Sequence, residues 1–167
     1  MEKSKTCTFT GHRESKLPWR GDENDPRCQR LKERLYAAVE AAYAAGMRHF
    51  ICGMATGGDM YFGEAVVALR EEHPEVTLEA AVPFEGQSRL WTAQQRRRYD
   101  RLAAECDYQT VVQRDYTPEC MMRRNRYMVD SSAMLIAAYN GTPGGTRATL
   151  LYAMRQGLRI VELPMEE

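Results

Sequence analysis

Six short apolar runs alternate with longer stretches of helical periodicity, and this alternation constrains the chain more than any other feature. The runs cover residues 6–10, 49–52, 76–82, 108–112, 133–139 and 158–163. Between them the spacing predicts helices over 30–45, 60–72, 90–106, 118–130 and 146–156. In the first, Leu31, Leu35, Val39 and Ala42 recur at helical spacing and Gly46 stops the pattern. Strands that read as near-continuous apolar runs must be covered on both faces. That implies a mostly parallel sheet of about six strands with helices on both sides: a Rossmann-like three-layer α/β sandwich. A length of 167 residues suits a single domain over 1–167. The longest irregular stretch, 11–26, is long enough to be a mobile loop or a lid.

In such a sheet ligands bind beyond the carboxyl ends of the strands. The segments found there are Thr10-Gly11-His12-Arg13, Gly53 to Asp59, Pro83 to Ser88, Gln113 to Tyr116 and Asn140 to Thr146. Glycine and polar residues collect on this one edge, and the five loops are expected to share a rim that forms the main pocket. Gly57-Gly58 and Gly144-Gly145-Thr146 each open a helix directly after a strand. Glycines admit close approach of an anion, and unpaired N–H groups at a helix start attract phosphate. Two such motifs on one edge point to an anion site, with Gly11, His12, Arg13, Gly53, Pro83, Gln87, Asn140 and Gly141 around it.

The details exclude two familiar nucleotide motifs. Gly53 and Gly58 have P-loop spacing, but Asp59-Met60 follows where Lys-Ser or Lys-Thr is required. The G-x-G-x-x-G dinucleotide fingerprint is absent. Asp59 would repel a phosphate. It either accepts from a ribose hydroxyl or complements the helix dipole. His12 is a candidate acid, base or hydrogen-bond donor, and Arg13 a candidate bidentate phosphate ligand. Glu64, one and a half turns into its helix, is a third candidate carboxylate, although it also reads as a solvated helix residue.

Lys plus Arg and Asp plus Glu each number 23, so the formal net charge is zero. This argues against a domain that coats nucleic acid nonspecifically. The clusters Arg96-Arg97-Arg98 and Arg123-Arg124-Asn125-Arg126 are too local to form a continuous basic stripe. Of the second cluster, Arg123, Asn125 or Arg126 is expected to reach the pocket. The five cysteines, Cys7, Cys28, Cys52, Cys106 and Cys120, show no C-x-x-C and are expected as reduced thiols. The three histidines are scattered, and no metal is expected. No apolar run approaches the roughly 20 residues of a membrane span, and no signal-peptide core follows the charged start. The expectation is a cytoplasmic protein with no membrane partner. A homo-oligomer is left open.

Taken together, T-G-H-R, G-x-x-x-G-G-D, P-F-x-x-Q-x-x-x-W and R-N-R-Y-M-V-D-S-S…Y-N-G-x-x-G-G-T resemble the YpsA-like branch of the SLOG superfamily over nearly the whole chain. The resemblance implies a Rossmann-like fold and a nucleotide-derived ligand: a nucleoside monophosphate, NAD or an ADP-ribose-like molecule. It implies a sensor or binder. The alternatives are an N-glycosidic hydrolase of the phosphoribohydrolase type, or a module associated with nucleic acid like the DNA-processing protein DprA. The phosphoribohydrolases carry P-G-G-x-G-T-x-x-E, whose Glu takes part in catalysis. Here Pro143-Gly144-Gly145-Thr146 runs straight into Arg147-Ala148-Thr149-Leu150. The phosphate-binding half is kept and the Glu is missing, so any catalytic acid would come from His12, Asp59, Glu64 or Glu85.

Overall fold

The apolar runs pair into one six-stranded sheet whose strands all run in the same direction. The computed structural model describes residues 1–165. The strands are β1 (Thr6–Gly11), β2 (His49–Cys52), β3 (Thr77–Val82), β4 (Tyr108–Val111), β5 (Met134–Tyr139) and β6 (Arg159–Pro164). Their order across the sheet is β4-β3-β2-β1-β5-β6. The helices are α1 (Pro26–Ala44), α2 (Gly58–Glu72), α3 (Ala93–Glu105), α4 (Cys120–Asp130) and α5 (Gly145–Arg155). This is the doubly wound, Rossmann-like α/β arrangement that the alternation implies. Among the described residues no helix is long and apolar enough to cross a membrane.

The central strands explain their own composition. Along β5, Met134, Ile136 and Ala138 join the larger core with residues of α1 and α2. Leu135 and Ala137 point the other way, to Val129 of α4 and Leu150 and Ala153 of α5. A strand buried on both faces has no position for a solvated side chain. β4 departs from the expected apolar pattern: Tyr108, Gln109 and Val111 are exposed. It is an edge strand, and edges stay accessible on one side.

Two helix starts differ from the periodicity-based boundaries by more than two residues. α1 begins at Pro26, four residues before Arg30, because the Asp25 side chain accepts from the Arg27 N–H and Pro26 suits a first turn. α3 begins at Ala93, after Leu90 and Trp91. Thr92 and Gln95 form a reciprocal capping box that fixes the start there. The long segment after β1 is neither a loose loop nor an open lid. A 3₁₀ turn at Glu14–Lys16 leads to Leu17 and Trp19, both buried in the core, and Trp19 Nε1 donates to the Tyr61 hydroxyl at 3.3 Å.

Away from the carboxyl edge, a buried polar cluster ties α4 to the sheet. Glu79 of β3 receives hydrogen bonds from Thr110 Oγ1 at 2.8 Å and from the Tyr127 hydroxyl of α4, and it pairs with His49 Nε2 at 2.7 Å. Burial pushes the Glu79 carboxyl up, but the bonds from His49, Tyr127 and Thr110 outweigh it and leave its pKa below the usual glutamate value. A depressed folded-state pKa gives stability that is present above the unfolded pKa and lost as pH falls through the folded one. Glu79→Gln should therefore cost about 2 kcal/mol at pH 7, the scale of a buried charge-assisted bond. It should also flatten the loss of stability below about pH 4.3, the unfolded glutamate value. Urea denaturation at pH 7 and pH 4 reads both effects, and equal acid slopes in wild type and variant would refute this role.

Candidate functional site

Strand order reverses between β1 and β5, so the loops leaving these two neighbours run to opposite sides and open a crevice. A cavity of about 120 Å³ lies there. Its wall includes Thr10 to Arg13 after β1, Ala55 and Asp59 after β2, Pro143 to Thr146 after β5, and Arg124 and Asn125 from α4. Lys16 of the pinned segment completes it. The loops after β3 and β4 do not join this cavity. They line a separate cleft of about 640 Å³ with Phe84, Trp91, Arg114 and Tyr116. The rim is therefore divided in two, not the single pocket of five loops that strand position alone suggests.

The two glycine loops do different things. Gly57 has φ +83°, and a Cβ there would meet the Glu14 N at 2.5 Å and the His12 O at 2.8 Å. The Gly58 N–H donates to the His12 carbonyl at 3.1 Å. This loop is filled by the chain itself: it clamps the segment after β1 and leaves Arg13 and Lys16 on the cavity wall. Gly144 precedes α5 with φ +143°, and no side chain caps the helix. A Cβ at Gly145 would meet nothing within 4 Å, and one at Gly144 would stand 3.5 Å from Lys16 Nζ. Among the described residues the N–H groups of Gly145, Thr146 and Arg147 have no acceptor. An uncapped helix start beside a lysine ammonium favours an anion twice, through the dipole and through direct charge.

His12 is buried, and its Nε2 donates to Asn140 Oδ1 at 3.0 Å, an oxygen that also accepts from the Thr142 N–H and hydroxyl. Burial lowers the His12 pKa, the Asn140 bond opposes that, and Lys16 lowers it further. The lowered pKa favours the neutral imidazole, and the Asn140 oxygen as acceptor puts its proton on Nε2. Asp59 is 8% exposed and its Oδ2 accepts from the Ala55 N–H at 3.0 Å. Burial raises its pKa above the usual aspartate value, and Arg124, the Ala55 N–H and Arg13 offset only part of the rise.

Arg124 is 4% exposed. Its Nη1 donates to the carbonyls of Gly53 and Ala81, and its Nε donates to Asn125 Oδ1 at 2.8 Å. Burial lowers its pKa and Asp59 supports the charge. Sequence reasoning passed over this residue in favour of its neighbours. Arg123 instead bonds Gln113, and Arg126 lies over the Tyr152 ring. The signal was present: Cys120, Arg124 and Met128 share one helical stripe, and the other two are buried. Lys16 was missed for a different reason, since no periodicity addresses a turn.

The other expected residues are distributed as follows. Gly53 lies behind the wall, between Asp59 and Arg124. Gln87 is buried and donates to the Met54 carbonyl at 3.3 Å. Pro83 and Gly141 lie outside the cavity lining. Glu64 is exposed and paired with Arg98 at 2.7 Å, away from the site. Glu85 belongs to the second cleft. Among the described residues no cluster of three or more His, Cys, Asp or Glu is placed to hold a metal ion.

The model of the YspA SLOG family matches residues 7–159. The chain belongs to this family. It is similar to the uncharacterised SPbeta prophage-derived protein YoqJ of Bacillus subtilis, with 31% identity over 144 residues, 78% of this chain and 84% of that one. It is also similar to a UPF0398 protein of Bacillus pumilus, with 25% identity over 126 residues, 74% of this chain and 68% of the other. UPF0398 protein YpsA of Bacillus subtilis is 24% identical over 123 residues, 72% and 66% of the two chains. Among solved structures, DNA processing protein A of Streptococcus pneumoniae superposes with a TM-score of 0.64 at 14% identity. That likeness covers 98% of this chain and 52% of the larger protein, so the chain spans about half of its length, and it concerns the fold.

The contrast between the glycine loops is measurable. Gly57→Ala should destabilise by roughly 2 kcal/mol or more, because both its φ and its backbone contacts forbid a Cβ. Gly145→Ala, which meets nothing, should stay within about 0.5 kcal/mol. Thermal unfolding of the two variants tests this, and a reversed order would remove the assignment of one loop to packing and the other to the cavity.

Proposed function

We propose that this SLOG domain is a cytoplasmic binder or sensor of a small phosphorylated, nucleotide-derived ligand, such as a nucleoside monophosphate, NAD or an ADP-ribose-like molecule. The observation that carries the proposal is the uncapped start of α5, which faces a cavity also lined by Arg13, Lys16 and Arg124. The phosphate would sit on the N–H groups of Gly145 and Thr146, with the Lys16 ammonium alongside. A cavity holding three cations against one carboxylate suits an anionic group and not a neutral one. The free thiols suit a reducing compartment.

Binding is favoured over hydrolysis by what surrounds the cavity. Asp59 is the one carboxylate among the described residues that line it. His12 is bound to Asn140 and held neutral, which suits a hydrogen-bond donor better than a strong general acid.

A thermal-shift screen of nucleoside monophosphates, NAD and ADP-ribose should yield stabilising ligands. Gly145→Asp should abolish that shift, since a carboxylate would occupy the anion position, while leaving the unliganded melting temperature near wild type. Undiminished stabilisation by every hit would sink the proposal. Incubation of the hits followed by chromatography should show no rapid base release. Fast turnover that is lost in His12→Gln while binding persists would make the chain an enzyme.

A further inference from the structure

A phosphate at the start of α5 leaves part of the cavity wall unused. That wall carries two buried, oppositely charged groups, Asp59 and Arg124, that form no ion pair with each other among the described residues. Asp59 receives one hydrogen bond, from Ala55 to Oδ2, and among the described residues its Oδ1 has no partner. Arg124 commits Nη1 to the Gly53 and Ala81 carbonyls and Nε to Asn125. Its Nη2 has only a weak contact with Met121 Sδ at 3.9 Å. The two groups flank Gly53, where a Cβ would fall 2.9 Å from Asp59 Oδ2 and 3.1 Å from Arg124 Cζ. The missing side chain is what lets carboxylate and guanidinium share this wall.

Among the described residues no fully buried side-chain nitrogen or oxygen lacks a hydrogen-bond partner, so the unpaired Asp59 Oδ1 keeps solvent access, and Asp59 lines the cavity. Burying an ion costs several kcal/mol unless it is paired or hydrogen-bonded. Two such ions on one wall, each with an unused hydrogen-bonding atom, specify a particular guest. It must donate to Asp59 Oδ1 and accept from Arg124 Nη2. A hydroxyl does both at once, because it carries one donor and two acceptor positions. A second phosphate would accept from Arg124 and be repelled by Asp59. A purely apolar group would leave both unsatisfied.

We infer that Asp59 and Arg124 take a ribose hydroxyl between them, so that the site selects a ribonucleotide over its deoxy counterpart. The inference rests on the phosphate reading above and gives the ligand a direction. Its phosphate lies at the start of α5 beside Lys16, and its sugar points toward β2 and α4. Arg13, whose charge also acts on Asp59, lines the same cavity. Gly53 becomes a specificity residue although it touches no ligand.

The test compares AMP, 2′-deoxy-AMP and 3′-deoxy-AMP by isothermal calorimetry on the wild-type chain. At least one deoxy analogue should bind roughly 10- to 100-fold more weakly than AMP, the factor expected when a buried charged acceptor loses its donor. In Asp59→Asn the amide oxygen would keep the Ala55 N–H and turn its NH₂ toward the cavity, removing the acceptor that a hydroxyl needs. The preference should then shrink to within about threefold, while inorganic phosphate still competes. The wild-type comparison does not depend on that variant folding. Equal affinity for all three nucleotides would overturn the inference and leave the phosphate site standing. If Gly145→Asp abolishes AMP binding and the wild type shows no sugar preference, the anion site is real and the sugar site is not. No binding of any of the three nucleotides or of phosphate would overturn both.

Discussion

The Arg124 guanidinium has been taken almost entirely out of water, and the site is built around the groups that make this tolerable. Its Nη1 reaches the carbonyls of Gly53 and Ala81, one just past the end of β2 and one within β3. At a carboxyl edge some strand carbonyls lack ladder partners, and a buried arginine can satisfy them. The bond ties α4, which lies on one face of the sheet, to the strand ends that shape the cavity on the other side of the crevice. Asp59 supports the charge across Gly53. Removing any one of the three would expose the others: a Cβ at residue 53 separates the charges, loss of Asp59 leaves Arg124 uncompensated, and loss of Arg124 leaves a buried carboxylate. A buried charge left without its compensating neighbour is costly, so the two groups support each other without direct contact.

A second constraint acts through backbone instead of charge. Gly57 lies against the main chain of His12 to Glu14 so closely that no side chain fits between them. The contact turns a stretch of irregular chain into a wall. Leu17 and Trp19 then anchor its far end in the core. Loop ordering costs conformational entropy for every residue fixed, and here two buried side chains and one close backbone contact offset it. The result is that Arg13 and Lys16 project from a braced segment and can face an anion with little further loss of freedom.

Most of the fold was legible in the sequence. Runs buried on both faces have no choice but to be apolar, and their alternation with helical patterns leaves few topologies. The helix starts were less legible, because periodicity marks the middle of a helix and caps mark its end. Asp25-Pro26 and the Thr92–Gln95 box carried that information in side-chain chemistry. The cavity wall was legible by position: His12, Arg13, Asp59 and Gly144 to Thr146 all follow strands and all line the cavity. What position could not distinguish was a glycine facing a ligand from a glycine facing backbone, since both need the same missing Cβ. Gly57 and Gly145 look alike in sequence and differ only in what stands opposite. Nor could composition separate Arg124 from Arg123 and Arg126, because a charged residue on an apolar stripe is legible only once the register of the helix is fixed.

The divided rim sets how much chemistry the site can hold. The half under β1 and β5 carries the cations, the uncapped helix and Asp59. The half under β3 and β4 carries Phe84, Trp91 and Tyr116, with Arg89 and Arg114. Gln87 joins the two halves: it sits on the second cleft and donates to the carbonyl of Met54, the residue before Ala55 on the first. Thr146 and Thr149 divide the first turn of α5 between the cavity and the backbone. Thr146 faces the cavity, but the Thr149 hydroxyl turns back to the Gly145 carbonyl at 2.8 Å and closes the first turn of α5. Asp59, the carboxylate on the cavity wall, stands in the first turn of α2, where burial raises its pKa and the Arg124 charge offsets only part of the rise. With burial prevailing, the Asp59 carboxyl takes a proton more readily than a free aspartate, and the Ala55 N–H holds its Oδ2 in place.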